Sequence, residues 1–251
     1  MSFYDLSKEK RIELVEIINA AIHSDISKGK DISILQYASD EDTYIRKTAY
    51  LAIGKIHKAK EGLRNKILRE LDRLMNNDNE KVRQTAVNAA GEIGMYDFDV
   101  IEHIMESGLF DEHPSVRNAV IGSIKKMGEK NPKPVLKFAK RYLHHQDKEI
   151  RREICHGIEL RGRKYPEDIL PLLRELQWDK TKRVRSTLVH VLGQIAYKKG
   201  CLATVIADLR KWENQKLVTE AIEEIIDVHD RYRNFAAMTQ KEAKEYIQRI
   251  F

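Results

Sequence analysis

The chain has 251 residues, of which 42% are hydrophobic and 33% charged, and its formal net charge is +6. This composition, with only 12 glycines and 5 prolines, is typical of a helical protein with a heavily charged surface. It argues against a membrane-spanning protein, because no apolar run approaches the roughly 18 residues that a span requires.

The N-terminus and the cysteines indicate a cellular location. The first residues lead directly into charged sequence and lack the apolar core of a signal peptide. The two cysteines, Cys155 and Cys201, do not suggest a disulfide framework and fit a reducing compartment. We therefore expect a cytoplasmic protein with no membrane partner.

The charge is distributed unevenly along the chain. Between Lys125 and Gly200 there are 20 Lys or Arg residues and 9 Asp or Glu residues, a net charge of +11, which leaves −5 for the rest. A basic second half beside an acidic remainder predicts attraction to a polyanion, with nucleic acid as the first choice. The alternative is a solvated basic surface with no special partner.

The first elements in chain order are all predicted helices. A helix over Leu6–Ser27 is expected, because Ser7 suits the N-cap and apolar residues then recur at helical spacing. A short helix over Asp31–Ala38 and a longer one ending near Ala59 form a first pair. Four fuller pairs follow, and their first helices are predicted at Leu63–Met75, Phe98–Leu109, Pro134–Leu143 and Pro166–Leu176.

Each first helix leads through an acid-bearing turn into a second helix with a Val-Arg or Ile-Arg pair. The aligned arginines are spaced 37, 34, 34 and 34 residues apart and are Arg46, Arg83, Arg117, Arg151 and Arg185. So regular a period predicts stacked helical repeats. A sixth unit keeps Val218 but has Thr219 in place of arginine. The predicted closing helix, Thr239–Phe251, begins with a capping box of Thr239 and Glu242.

The second helices share an apolar stripe, such as Val82, Ala86 and Ala90, that one helix pair could not bury alone. Small residues, among them Gly54 and Gly91, are expected to let neighbouring helices approach closely. The arginines need another explanation, because a cation near a helix N-terminus opposes the helix dipole. We interpret all five as a structural ladder that pairs with carboxylates of adjoining turns, and not as ligand contacts.

These positions carry a family resemblance. The pattern Val-Arg-x-x-Ala-x-x-Ala-x-Gly-x-Ile after an aspartate, matched by Asp78–Ile93 and nearly by Asp40–Ile56, resembles the second helix of a HEAT repeat of the short bacterial kind. Armadillo and tetratricopeptide arrays are the alternatives, and the tetratricopeptide Trp/Leu-Gly/Tyr pattern is missing. The resemblance implies an all-α, right-handed α–α superhelix (a HEAT/armadillo-like solenoid) of about six helix pairs.

The same resemblance sets the expected domain organisation. We predict a single repeat domain over 1–251, with an N-terminal capping helix at 1–29 and a C-terminal capping helix at 233–251. The predicted repeats between them are 30–59, 60–96, 97–130, 131–164, 165–199 and 200–232.

The resemblance also implies that the second helices line an inner, concave face. Positions one, five, nine and twelve after each arginine are then expected to point outward on that face. The last two full rows stand out, because His156 and His190 occupy the same repeat position, 34 residues apart. The candidate binding residues are Arg152, His156, Glu159, Arg163, Ser186, His190, Gln194, Tyr197, Lys198 and Lys199.

The sequence allows two further hypotheses, a metal site and a nucleobase-stacking site, and we favour neither. His156, Glu159 and His190 are metal-ligand types, but no further strong ligand follows at a suitable spacing, so we expect no metal and no cofactor. Trp178 and Trp212 are also 34 residues apart, and exposed tryptophans at these positions could stack with nucleobases. We expect them instead to pack as repeated hydrophobic staples before each second helix.

Two classes of function remain, and no motif identifies a reaction. The preferred hypothesis is a monomeric, non-catalytic scaffold whose concave face and basic half bind a protein or nucleic acid. The alternative is an enzyme, because the chain resembles the bacterial alkylpurine DNA glycosylases in repeat architecture and basic half. That family uses aromatic side chains and a carboxylate in the concave groove, and Glu159, Glu92 and Tyr197 are the nearest chemical equivalents in this sequence. None of them lies in a recognisable motif of the family, and we assign no catalytic residue. A third hypothesis, a lyase-like repeat protein that acts on a bilin chromophore, rests on the repeat resemblance alone.

Overall fold

A computed structural model describes residues 2–251, and these residues form helices joined by short loops, with no strand among them. They divide into two compact units, the first ending at Asn131 and the second comprising Pro132–Phe251. The repeat boundaries given above, and the single domain over 1–251, stay predictions.

The first unit contains seven α-helices and two short 3-10 turns, Phe3–Asp5 and Glu61–Leu63. The helices are α1 (Lys8–Lys28), α2 (Ile32–Ala38), α3 (Thr43–Ala59), α4 (Arg64–Met75), α5 (Glu80–Gly94), α6 (Glu102–Leu109) and α7 (Pro114–Lys130). The second helices α3, α5 and α7 pack side by side in that order, and the first helices α4 and α6 pack against each other. This is the alternation expected of stacked helix pairs.

The second unit repeats this arrangement. Its helices are α8 (Pro132–Tyr142), α9 (Lys148–Gly157), α10 (Glu159–Gly162), α11 (Pro166–Glu175), α12 (Lys182–Ala196), α13 (Cys201–Leu209), α14 (Gln215–Arg231) and α15 (Gln240–Gln248). Helix α12 packs between α9 and α14, and α11 packs on α13.

The predicted helix boundaries hold with two main differences. The helix predicted from Phe98 begins only at Glu102, because Phe98 and Ile101 close a turn through a 3.0 Å backbone hydrogen bond. The second helix of the fourth pair is interrupted at Ile158, which separates α9 from α10. The predicted capping box of Thr239 and Glu242 is confirmed at the start of α15.

The predicted apolar stripe is buried. Val184, Leu188 and Leu192 are each 0% exposed, and they face the core from α12 at the expected spacing. Close helix approach is also confirmed, because a Cβ added at Gly91 would lie 2.3 Å from the Ser123 Oγ of α7. The second helices are therefore held at a separation that only a residue without a side chain allows at this point.

Candidate binding surfaces of the second unit

The two histidines that share a repeat position lie beside each other in the second unit. His156 comes from α9, Glu159 begins α10, and His190 comes from α12. The imidazole ring centroids are 6.1 Å apart, and the His156 Nε2 lies 3.2 Å from a Glu159 carboxylate oxygen. One ligand-type atom from each of these three residues lies within 4.8 Å of the other two. We call His156, Glu159 and His190 the histidine cluster.

Glu159 is the buried member of the histidine cluster, with 1% of its surface exposed. Its Oε1 accepts a hydrogen bond from the Arg163 guanidinium one turn further along the chain. The same Nη2 of Arg163 donates to the Gln194 Oε1 at 2.8 Å. Arg163 therefore compensates a buried carboxylate and is not an unpaired cation on the surface.

His190 has a second carboxylate on its other side. Its Nδ1 lies 3.8 Å from the Glu224 Oε1 on α14, and Glu224 also accepts a 3.0 Å hydrogen bond from Arg231. Burial lowers the pKa of His190, while the carboxylates of Glu159 and Glu224 act in the opposite direction. The lowered pKa favours the neutral imidazole at neutral pH.

The remaining predicted site residues differ in exposure. Ser186 and Lys199 are exposed, whereas Arg152 is half-buried and donates to Glu149 at 2.9 Å. Gln194 and Tyr197 are each only 4% exposed, contrary to the outward position expected from their spacing.

The burial of the last turn of α12 has a local cause. The Tyr197 ring stacks on Tyr232 at 5.3 Å, and the Tyr197 carbonyl accepts a 3.0 Å hydrogen bond from the Ala237 N–H. The Lys198 Nζ lies over the Tyr197 ring, 4.3 Å from its centroid. The chain after α14 thus covers a segment that an isolated helix would expose.

The aligned arginines make a recurring set of contacts at the turns. Arg83 and Arg151 each donate two hydrogen bonds to an aspartate 28 residues later, Asp111 and Asp179 respectively. Each also donates to two backbone carbonyls of its own turn. Arg46 and Arg117 make the same carbonyl contacts. Burial acts to raise the pKa of Asp179, but hydrogen bonds from Arg151 and Thr181 outweigh it and hold the pKa below its usual range.

Arg185, the last aligned arginine, lacks this acidic partner. Its guanidinium donates to the Asp179 carbonyl at 2.5 Å, and within residues 2–251 no carboxylate lies at ion-pair distance from it. Glu213, 28 residues later, takes the position of Asp111 and Asp179 but is exposed. Arg185 instead lines a cleft of about 250 Å³.

This cleft combines an aromatic ring with several cations. It lies where α12 and α14 begin, and its lining includes Trp178, Lys180, Arg185, Lys216 and Glu220. Trp178 is 61% exposed, whereas Trp212 at the same repeat position is 1% exposed and donates to Asp208. The staple interpretation therefore does not describe Trp178. We call this feature the Trp178 cleft.

Sequence reasoning did not select the Trp178 cleft, although two signals were present. The basic run from Lys180 to Arg185 follows directly after Trp178. The turn of the next repeat has Glu213-Asn214 where the preceding turn has Asp179-Lys180. The repeat pattern alone does not tell whether a ring at this position is covered.

Comparisons with known proteins place this geometry in a class. Residues 32–107 match the family model Cnd1, non-SMC mitotic condensation complex subunit 1. A comparison with the curated proteins found no match. The structure of AlkD2 from Streptococcus mutans is similar with a TM-score of 0.55 at 16% identity, over 81% of this chain and 97% of that one.

An archaeal HEAT-like repeats protein from Thermococcus onnurineus NA1 is also matched, with a TM-score of 0.44 at 18% identity, over 98% of this chain and 97% of that chain. The fold is that of the HEAT-like helical repeats, as the sequence predicts. At such low identity the likeness concerns the fold alone. None of the described helices is long and apolar enough to cross a membrane.

Proposed function

We propose that the protein is a monomeric, non-catalytic binding module whose second unit binds nucleic acid. HEAT and armadillo-like repeats in general serve as binding scaffolds. The observation that carries the proposal is the Trp178 cleft, where an exposed indole lies among the side chains of Lys180, Arg185 and Lys216. The proposal places the protein in the cytoplasm, where the free, buried thiols of Cys155 and Cys201 would stay reduced.

The charge of the second unit supports this proposal. Residues 132–251 contain 25 Lys or Arg and 17 Asp or Glu, a net charge of +8, and the remaining residues carry −2. Such a field attracts a polyanion before any specific contact forms. Both units have the same kind of fold, so the charge difference favours the second one as the binding unit.

The Trp178 cleft offers the two contacts that a nucleic acid strand uses. The indole face suits stacking with an unpaired base, which every base can provide. Lys180, Lys216 and the Arg185 guanidinium suit the flanking phosphates. Asp179, the other carboxylate besides Glu220 in the lining, is already paired with Arg151. The cleft therefore keeps a positive balance around its aromatic ring.

The predicted concave-face residues support this function less. Arg152 pairs with Glu149 and Glu153, and Arg163 pairs with Glu159. Their positive charges are largely compensated within the protein. Lys198 and Lys199 follow the end of α12, where Lys199 is exposed and Lys198 is half-buried.

The alternative of a DNA-alkylation-repair-type glycosylase has weaker support. The similarity to AlkD2 concerns the fold, and the three chemical equivalents are engaged in other contacts. Glu159 accepts from Arg163, Glu92 accepts from Lys126 at 3.0 Å, and Tyr197 is buried against Tyr232. A catalytic carboxylate needs access to the substrate, and Glu159 is buried while Glu92 is only partly exposed.

Tryptophan fluorescence tests the proposal directly, because the exposed Trp178 and the buried Trp212 are the protein's two tryptophans. A single-stranded oligonucleotide should quench the wild-type emission as it saturates the protein. In Trp178→Phe the remaining Trp212 emission should not respond. Fluorescence anisotropy of a labelled oligonucleotide measures the affinity in parallel.

The two readouts test nucleic-acid binding and the role of Trp178 separately. No anisotropy change at low salt with single-stranded or duplex nucleic acid would overturn nucleic-acid binding. Binding with no change in tryptophan emission would contradict the role of Trp178. Binding of the oligonucleotide that is insensitive to salt would contradict the assigned phosphate contacts, because such contacts release counterions.

A further inference from the structure

The geometry points to a divalent transition-metal site at His156, Glu159 and His190, with zinc as the ion whose ligand preference fits best. This inference is independent of nucleic-acid binding. It revises the expectation of no metal drawn from the sequence, because the repeat spacing predicts that His156 and His190 are neighbours but does not show that their ligand atoms and those of Glu159 converge.

The three side chains form an appropriate donor set. Two imidazole nitrogens and one carboxylate oxygen are the ligands of many zinc sites that keep a fourth position open. Within residues 2–251 this is the one group of three His, Cys, Asp or Glu residues whose ligand atoms converge in this way, all within 4.8 Å of one another.

The distances leave a small adjustment for metal binding. Zinc bonds of about 2.0–2.1 Å place the ligands of a tetrahedral site about 3.4 Å apart. The His156 Nε2 and the Glu159 Oε2 are already 3.2 Å apart. The ligand atom of His190 lies within 4.8 Å of both, so metal binding requires it to approach them by no more than about 1.4 Å.

The surroundings hold one of the ligands in place and put a carboxylate beside a second. Arg163 binds the Oε1 of Glu159 and leaves the Oε2 directed towards His156. Glu224 lies 3.8 Å from the Nδ1 of His190, so it can orient that ring with its Nε2 towards the ion. Carboxylates behind ligating histidines commonly have this role.

The site is accessible to an ion from solvent. The His156 and His190 side chains are 33% and 41% exposed, whereas the Glu159 side chain is only 2% exposed. A buried carboxylate with two half-exposed imidazoles above it gives an ion an entry path and leaves its fourth position to water.

Metal titration of the full-length protein without a histidine tag tests this inference. Zinc is added to chelator-treated protein in competition with a chromogenic chelator, and cobalt is used as a spectroscopic substitute. One zinc should bind per chain, and the cobalt protein should show the intense visible absorption of a four-coordinate site. Replacing His156 or His190 by Gln should weaken zinc binding by at least about 100-fold, and Glu224→Gln by roughly 10-fold.

His144 provides a matched control. It forms an exposed pair with Glu175 at 2.8 Å and so resembles the pair of His156 and Glu159. Among the described residues, however, His144 does not belong to a group of three converging metal-ligand types. His144→Gln should bind zinc like wild type. The inference is overturned if the wild type binds no stoichiometric zinc, or if His156→Gln and His190→Gln both retain the wild-type affinity. An equal loss in His144→Gln would also overturn it, since binding would then be adventitious. Circular dichroism identifies any variant that fails to fold, and the other histidine variant then decides.

Discussion

Arg151 and Asp179 form two parallel hydrogen bonds of 2.6 and 3.1 Å that join the turns of consecutive repeats. The Asp179 side chain is only 5% exposed, and that of Arg151 is 15% exposed. A planar guanidinium matches a carboxylate in this geometry better than an ammonium does. The pair explains why an arginine recurs near the start of a helix, where the dipole disfavours it.

We predict that Arg151→Ala destabilises the protein by about 3 kcal/mol, because it leaves the Asp179 carboxylate without its cation. Arg185→Ala is the matched control, since Arg185 has the same repeat position but no carboxylate partner. It should cost about 1 kcal/mol or less. Urea denaturation measures both, and equal losses in the two variants would refute the structural role of the ion pair.

The same pair predicts a dependence of stability on pH. The pKa of Asp179 lies below its usual value, so the unfolded chain binds a proton more readily than the folded one. The contribution is complete above the unfolded pKa of about 3.9 and is lost as pH falls through the folded pKa. The difference in unfolding free energy between wild type and Asp179→Asn should thus be constant above about pH 5 and shrink below about pH 4. A difference that grows on acidification would contradict this account.

Gly91→Ala should destabilise the first unit by about 1–3 kcal/mol through overpacking. The new Cβ would meet the Ser123 Cβ at 2.6 Å, so Ser123→Gly in the same chain should recover part of the loss. Gly122→Ala is the control, because among the described residues no atom beyond the adjacent chain and helix backbone lies within 4 Å of its added Cβ. Helix propensity should make this change neutral or stabilising. Thermal unfolding compares the three variants, and a loss for Gly122→Ala equal to that for Gly91→Ala would contradict the packing argument.

Arg163→Ala should mainly lower the stability of the protein, because Arg163 is already paired with Glu159. It removes the guanidinium from Glu159, whose side chain is 2% exposed, at an expected cost of about 2–4 kcal/mol. Adding Glu159→Gln should restore part of that stability, because the uncompensated charge is then gone. Lys199→Ala, at an exposed position, should leave stability unchanged. Denaturation of the four proteins tests this, and a stable Arg163→Ala variant would show that the pair is dispensable.

Much of the fold was predictable from the sequence because repetition multiplies weak signals. The stripe of Val184, Leu188 and Leu192 has counterparts in the other second helices that carry an aligned arginine, and the structure buries these positions except Ile45, which is half-buried. The glycine at position 91 likewise marks a close helix contact. The stripe depends on a local period that the repeats share, and the glycine recurs in only some of them, so the alignment of the repeats was enough to find both features.

The candidate sites were only partly predictable because they depend on what covers a side chain. Trp178 and Trp212 share a repeat position, yet one is exposed and the other is buried. Tyr197 has the spacing of an outward residue but lies beneath the chain that follows α14. His156 and His190 were correctly expected to be neighbours, whereas the carboxylate of Glu224 comes from the next repeat and was not anticipated. The candidate sites therefore depend on differences between the repeats, and the repeat period does not reveal those differences.

The most direct test of nucleic-acid binding by the second unit is anisotropy of a labelled single-stranded oligonucleotide at 50 and 200 mM salt. Three phosphate contacts, from Lys180, Arg185 and Lys216, predict an affinity loss of about 20-fold over this range. Lys180→Glu/Lys216→Glu should abolish most of the binding, whereas the control Lys133→Glu/Lys137→Glu, with the same charge change on exposed residues of α8, should keep it. Equal binding by the two variants, or none by the wild type at 50 mM salt, would contradict the account.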